Sequence, residues 1–285
     1  MLDKLLDFIP EIPIADWTKE FTKDITDTFA FLFEPIKEHF GNFMEFVSDN
    51  LMLVPPLIIM LVVALIAFFI TGKKLGLAVF SFVGLWLVYN QGLWEHLMDT
   101  FTLVLLASLL SVIIGVPVGI LMSKSRIAEA IIKPILDFMQ TMPAFVYLIP
   151  AVAFFGIGMV PGVFASLIFA TPPTVRFTNL GIRQVSKELV EASEAFGSTG
   201  MQKLFKVELP MAKSTIMAGI NQTVMLALSM VVIASMIGAP GLGREVLSAL
   251  QRAEVGTGFV AGIGIVILAI IIDRFTQSAN EKKDE

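Results

Sequence analysis

The sequence predicts an all-α, polytopic membrane protein of about seven transmembrane helices, preceded by an external amphipathic helix. Three observations carry this. Of 285 residues, 56% are hydrophobic and 16% charged, with a mean hydropathy of +0.82, against roughly 45–50% apolar and about a quarter charged in a soluble domain. Several apolar runs approach or reach the ~17–25 residues that cross a bilayer. Charge gathers in the segments between those runs.

Residues 1–50 hold eleven acids (Asp3, Asp7, Glu11, Asp16, Glu20, Asp24, Asp27, Glu34, Glu38, Glu45, Asp49) against four lysines (Lys4, Lys19, Lys23, Lys37). Trp17, Phe21, Ile25, Phe29, Leu32, Phe33 and Ile36 recur within it at helical spacing, with Lys19, Glu20, Lys23, Asp24 and Asp27 between them. Such a helix lies in a membrane interface or packs its stripe on the protein's own helices. Pro35 is expected to break or kink it. The opening MLDKLLDFIPEIP lacks the basic and apolar regions of a cleavable signal peptide.

Seven spans are expected near Leu53–Ile70, Leu75–Val88, Phe101–Met122, Pro143–Gly158, Val160–Val175, Ile216–Ile237 and Gly256–Ile272. The fourth and fifth are joined so tightly at Met159–Gly162 that an antiparallel hairpin is expected, with kinks at Pro143, Pro150 and Pro161. Gly115/Gly119 and Gly258/Gly262 place small residues four apart, which suits close helix packing.

Alternate loops give the orientation. One side holds Lys73, Lys74, Lys124, Arg126, Lys133, Arg176, Arg183, Lys187, Lys203, Lys206, Lys213, Arg274, Lys282 and Lys283; the other holds Arg244, Arg252 and the four N-terminal lysines. The richer side is expected to be cytoplasmic. The N-terminus is then outside and the C-terminus inside.

Between the fifth and sixth spans lies the polar segment 186–210. Ser186 can cap a helix over Lys187–Ala195, and Gly197 suits its left-handed C-terminal position. Thr199 followed by Gln202 is a capping-box pattern that opens a second, very short helix. That helix offers Met201, Leu204 and Phe205 as apolar knobs and Lys203 and Lys206 as charges. Ala192, Ser193 and Ala195 are small enough for close packing. Pro210 falls where the next span begins, in a first turn that does not need its N–H. The expected form is helix, sharp turn, short helix, sharp turn, transmembrane helix, with Leu204 and Phe205 exposed. An ordinary connector on the inner surface is the plain alternative.

Chemistry of its own is not expected. There are no cysteines, so disulfides and thiolate sites are excluded. Gly72-Lys73-Lys74 lacks the remaining P-loop residues, and Gly238, Gly241 and Gly243 before Arg244 lie on the outer side. His39 and His96 stand without metal-ligand company. No metal site, catalytic residue or nucleic-acid partner is expected.

The order Glu191-Ala192-Ser193, three residues, Gly197, nine residues, then Val207-Glu208-Leu209-Pro210 resembles the EAA signature of ATP-binding-cassette (ABC) importer permeases. Ser193 stands for the signature's second alanine and Val207 for its isoleucine. Asn221–Ile237, Leu204-Phe205-Lys206-Val207, Pro210 and Ala170-Thr171-Pro172-Pro173-Thr174-Val175-Arg176 resemble the glycine betaine/proline (quaternary ammonium) branch of that family. The resemblance runs from about Thr100 to Asp273.

It implies the following organisation. Residues 1–50 form the acidic external tail, 51–92 two leading spans, 93–275 a five-helix permease core with its coupling loop at 186–210, and 276–285 a short cytoplasmic tail. The chain would be a non-enzymatic subunit in a bacterial or archaeal cell membrane, moving an osmoprotectant inward by alternating access. ATP and Mg would be bound by a partner ATPase present in two copies, and a second permease copy would complete the pair. A separate external binding protein would deliver the solute and carry the aromatic cage for its ammonium. Glu191, Ala192, Gly197, Met201, Leu204, Phe205, Leu209 and Pro210 would couple to the ATPase. Asn221, Gln222, Thr223, Ser229 and Ser235 are candidates to line the path, or else hydrogen-bonded glue between helices. Few ionisable residues are expected within the spans. Another small solute, such as an amino acid, would keep the loop and change the binding protein; a secondary transporter or channel would need no ATPase.

Overall fold

The computed structural model describes residues 13–72 and 75–281. The first twelve residues, Lys73, Lys74 and the last four, invoked above for leader, tail and charge asymmetry, lie outside the described residues. Every regular element among those described is helical.

Helix α1 (Ile14–Thr28) and α2 (Ala30–Leu53) are the predicted amphipathic segment. The break falls at Phe29, while Pro35 lies within α2. A proline ring crowds the turn before it, so the helical path is interrupted upstream of Pro35 rather than at it. The stripe divides in two. Trp17 and Phe21 are exposed, whereas Phe33 stacks on Phe154 with centroids 4.9 Å apart and meets Phe155 edge-on. Trp17 and Phe21 are thus free to meet lipid, while Phe33 and Ile36 are packed on protein.

Next come α3 (Pro56–Ile70), bent 95° from α2, and α4 (Leu75–Asn90). The long α5 (Trp94–Lys124) follows, then α6 (Arg126–Thr141), which Ser125 caps by accepting from the Ala128 N–H. A 3₁₀ turn (Ala144–Tyr147) and the short α7 (Leu148–Phe155) are bent 111° from α6. The expected fourth span is therefore wrong in extent: α7 has eight residues, too few to cross alone. Its partner α6 escaped the hydropathy reading because Arg126, Glu129, Lys133 and Asp137 interrupt its apolar residues.

Helix α8 (Met159–Arg183) begins after Gly156 and Gly158, both at positive φ, so the turn precedes Met159–Gly162 instead of occupying it. Pro161 is then in a first turn, where it causes no kink. The span expected to end at Val175 continues to Arg183.

After the loop helices comes α11 (Leu209–Ser235). Then come α12 (Leu242–Arg252), which Thr100 seats by accepting from the Leu242 N–H at 2.8 Å, and α13 (Val255–Glu281). Among the described residues, three helices are long and apolar enough to cross a membrane, or up to five if each bent pair counts once.

Helix α8 is the centre of the bundle, buried between α5 and α11. Gly115 and Gly119 of α5 lie against Thr174 and Thr178; a Cβ at Gly119 would stand 2.6 Å from Thr178 Cβ and 2.7 Å from the Val175 carbonyl. Of the other predicted pair, Gly258 meets Ala249, but nothing lies within 4 Å of a Cβ at Gly262. Gly262 lies one turn further along α13 from Ala249, and no described residue packs over it there.

Candidate functional site: the loop between α8 and α11 and the open side of the bundle

The loop folds by local rules. Ser186 caps α9 (Lys187–Ala195), its hydroxyl accepting from the Leu189 N–H at 3.4 Å. At the other end Gly197 takes φ +77°, its N–H bonds the Glu194 carbonyl, and the Ser198 N–H bonds that of Ser193. This is a Schellman stop. Thr199 and Gln202 form the reciprocal capping box of α10 (Gly200–Lys203), with bonds of 2.9 and 3.3 Å. Lys203 pairs back to Glu194, tying α10 to α9.

The second sharp turn is absent. Instead α10 runs through a π-helical turn (Leu204–Glu208) directly into α11, so that residues 200–235 form one helix. Pro210 accounts for this. Inside a continuous α-helix its ring would press on the Lys206 carbonyl and its missing N–H would leave that carbonyl unbonded. The wider π turn, with the Leu209 N–H bonded to the Leu204 carbonyl, shifts the register just before it.

The same turn rotates Leu204 inward. It is buried among Ile182, Ala212 and Ile216, with Leu209 packed beside them, and is not the exposed knob expected. Phe205 and Met201 are exposed as anticipated, and so are Glu191, Ala192, Gly197 and Pro210. Phe196, which the sequence reading passed over, is 91% exposed. Its signal was present: a phenylalanine at a helix C-cap, immediately before the turn glycine.

Glu208 was likewise passed over as a site residue. It is 5% exposed, and its carboxylate pairs with Lys124 at the end of α5. A buried carboxylate needs such a partner. The pair joins the π turn to the bundle.

Register assigns the faces of α8. Gly162, Ala170, Pro173, Phe177 and Gly181 meet α11 at Ala234, Thr223, Gly219 and Thr215. Thr171, Thr174, Val175 and Thr178 meet Gly115 and Gly119 of α5. Phe169, Arg176 and Leu180 are left on the remaining side. Along α11 beyond Pro210 the exposed positions are Met211, Ser214, Ala218, Gln222, Met225 and Ser229, a single helical stripe that Met236 continues just past its end. Since α8 and α11 run antiparallel, both lines fall on one side of the pair, opposite α5.

The five path candidates divide accordingly. Asn221 donates to Asp273 at 2.9 Å and accepts from Thr276, joining α11 to α13. Thr223 is fully buried, 2.7 Å from the Thr174 hydroxyl, and donates to the Ala170 carbonyl. Ser235 bonds the Val232 and Gly243 carbonyls. These three bind helices together. Gln222 and Ser229 alone lie on the open stripe.

Helix α6 is fastened to α8 by two ion pairs. Arg183 bonds Glu129 at 2.7 Å near the loop end, and Arg176 bonds Asp137 at 2.6 Å further along. The placing of Arg176 in a loop is thereby corrected: it is the only charged residue of α8 before Arg183. His96 is also less isolated than expected, since its Nε2 lies 3.5 Å from Glu245.

The family model for the binding-protein-dependent transport system inner membrane component matches residues 111–283. The chain is 59% identical over 276 residues to a glycine betaine/carnitine transport permease protein of Listeria monocytogenes, covering 96% of this chain and 98% of that one. It is 50% identical over 278 residues to a glycine betaine transport system permease protein of Bacillus subtilis, covering 98% of each. It is 48% identical over 267 residues to the glycine betaine/proline betaine permease of Escherichia coli, covering 94% of this chain and 75% of that one. Its fold is similar to a chain in inward-facing structures of the MetNI methionine ABC transporter, with a TM-score of 0.57 and 23% identity over 67% of this chain and 93% of that one.

Proposed function

The chain belongs to the family of inner membrane components of binding-protein-dependent transport systems, and on that premise we propose that it moves a zwitterionic osmoprotectant, glycine betaine or a close relative, into the cell. The three relatives share glycine betaine in their names. The scarcity of fixed charge along the bundle suits a solute without net charge.

The observation that carries the mechanism is the rigid loop. Caps close both ends of α9 and open α10, so Phe196, Met201 and Phe205 are presented on a stiff projection. Exposed aromatics on a preorganised element are the anchors that a partner groove selects. The partner is the ATPase subunit, present in two copies, with ATP and Mg bound there. Leu204 in the bundle and Glu208 on Lys124 make the projection continuous with α11 and α5. Closure of the ATPase pair therefore pulls on the α8/α11 side of the bundle.

One chain offers one such loop, so a second copy of the permease completes the assembly, with the exposed stripe of α11 facing it across the path. An external binding protein delivers the solute. Basic residues gather at the end that carries the loop, which supports a cytoplasmic loop and C-terminus.

The test is uptake of radiolabelled glycine betaine, proline and choline by vesicles holding the chain with its ATPase and binding protein. ATP-dependent uptake of glycine betaine is expected. Uptake of none of the three would overturn the substrate class.

A further inference from the structure

One ion pair stands where a membrane protein does not ordinarily tolerate one. Helix α8 has 25 residues, about 37 Å of helix at 1.5 Å per residue. Arg176 lies 17 residues past Met159 and seven before Arg183, about 25 Å from one end and about 10 Å from the charged end. Against a hydrocarbon core of about 30 Å, that is within the membrane or at its inner boundary. Asp137 reaches it from the twelfth position of α6, two turns beyond Glu129.

The pair is not buried. The Arg176 side chain is 38% exposed and that of Asp137 55%. Ionised side chains at this depth face a bundle interior or a water-filled cavity, not lipid. Among the described residues both side chains stay partly open, and they lie on the same side of the α8/α11 pair as the open stripe. Gln222 stands at the same level of α11, since Thr223 meets Thr174 and Gly219 meets Phe177. Toward the opposite end this side is closed by Tyr147, edge-on to Phe169 at 5.7 Å, together with Met230 and Ile233. Below that apolar closure, Arg176, Asp137 and Gln222 are the first polar groups level with one another that a solute would meet.

We propose that Arg176 and Asp137 form an exchangeable solute site in the transport path: the pair parts to admit a zwitterion, the Arg176 guanidinium taking the carboxylate and the Asp137 carboxylate the quaternary ammonium. The chemistry suits each role. Guanidinium offers a planar fork to a carboxylate. A quaternary ammonium has no N–H to donate, so its partner must be a charge or an aromatic face, and Asp137 supplies the charge. An ion pair this exposed is weakly held, so a ligand with both charges can replace each partner for the other. A cation without a carboxylate satisfies only Asp137 and leaves Arg176 unpaired. The path thereby favours zwitterions, in addition to any selection by the binding protein.

This assignment rests on the osmoprotectant reading, and the experiment separates the two. Glycine betaine uptake is measured with the complete complex (permease, ATPase and binding protein) in proteoliposomes, for wild type, Arg176→Gln, Asp137→Asn and the exchanged pair Arg176→Asp/Asp137→Arg. Saturable binding of radiolabelled glycine betaine is measured in parallel on the permease–ATPase complex in nanodiscs. Each single variant is expected to lower maximal uptake and betaine binding at least tenfold, while the concentration of loaded binding protein giving half-maximal ATP hydrolysis is unchanged. Choline is expected to compete at least tenfold more weakly than betaine for the wild-type nanodisc site. The exchanged pair re-forms the contact between α6 and α8, so full recovery of uptake in it would show a structural clasp and overturn the proposal. Undiminished uptake and binding in both single variants would overturn it while leaving the osmoprotectant reading intact. Absence of betaine uptake by the wild type would overturn both.

Discussion

Lys124, the last residue of α5, holds the buried carboxylate of Glu208 at the π turn where the loop re-enters the bundle. One ion pair thus connects the segment proposed to dock the ATPase to the helix packed against the centre of the fold. Replacing Lys124 with Met strands the Glu208 carboxylate. The cost is expected to be about 1–3 kcal/mol, below the figure for a wholly buried pair because Lys124 is partly in water. Thermal unfolding in detergent measures it. The Lys124→Met/Glu208→Gln double variant should recover most of the stability, yet transport fewer solutes per ATP hydrolysed. Unchanged transport stoichiometry in the double variant would remove Glu208 from the coupling route.

Phe205 and Leu204 are neighbours with opposite fates, one 59% and the other 8% exposed. Phe205→Asp is expected to leave the thermal midpoint of the isolated permease within a few degrees and to abolish co-purification of the ATPase. Phe196→Asp should weaken that association. Leu204→Ala empties a packed position, costing about 2–5 kcal/mol, and lowers the midpoint of the permease itself. Retention of the ATPase by the Phe205→Asp variant contradicts the docking assignment.

Gly119 admits no side chain. A Cβ there meets Thr178 and the Val175 carbonyl below 3 Å, and the backbone atom cannot move aside cheaply. Gly119→Ala is expected to destabilise by about 1–3 kcal/mol, and Gly262→Ala to be nearly neutral. Thermal unfolding of the two variants, compared under one condition, checks the difference.

The chain has no cysteines, so single cysteines report their surroundings cleanly. Gln222→Cys and Ser229→Cys should react with a water-soluble maleimide in the assembled transporter, and Thr223→Cys should not. Equal protection of all three would place the stripe in a dry interface and remove Gln222 and Ser229 from the path.

What the sequence made legible was mostly local. The Thr199/Gln202 box, the Gly197 stop and the Ser186 cap depend on residues within a few positions of one another, and all three formed. The burial of Leu204 depends on Ile182, Ala212 and Ile216 and on a π turn that Pro210 calls for. No spacing rule shows where such a turn will rotate its side chains. Helix α6 was missed for a related reason. Its charges looked like loop residues, and the groups that pair two of them, Arg176 and Arg183, lie 39 and 54 positions away in the chain. The Gly115/Gly119 contact was readable because both glycines lie one turn apart in one long apolar helix, whereas Gly262 shared that spacing with Gly258 but no described residue packs over it, which spacing alone does not show.

The central claim is that this chain imports a betaine-like solute under the power of another subunit, through the loop at 186–210. Glycine betaine uptake into proteoliposomes tests it most directly, with permease, ATPase and binding protein each omitted in turn and with Phe205→Asp in place of wild type. The account predicts ATP-dependent accumulation only with all three wild-type components, and none with the variant. Accumulation by the permease without the ATPase, or equal accumulation by Phe205→Asp, would contradict it.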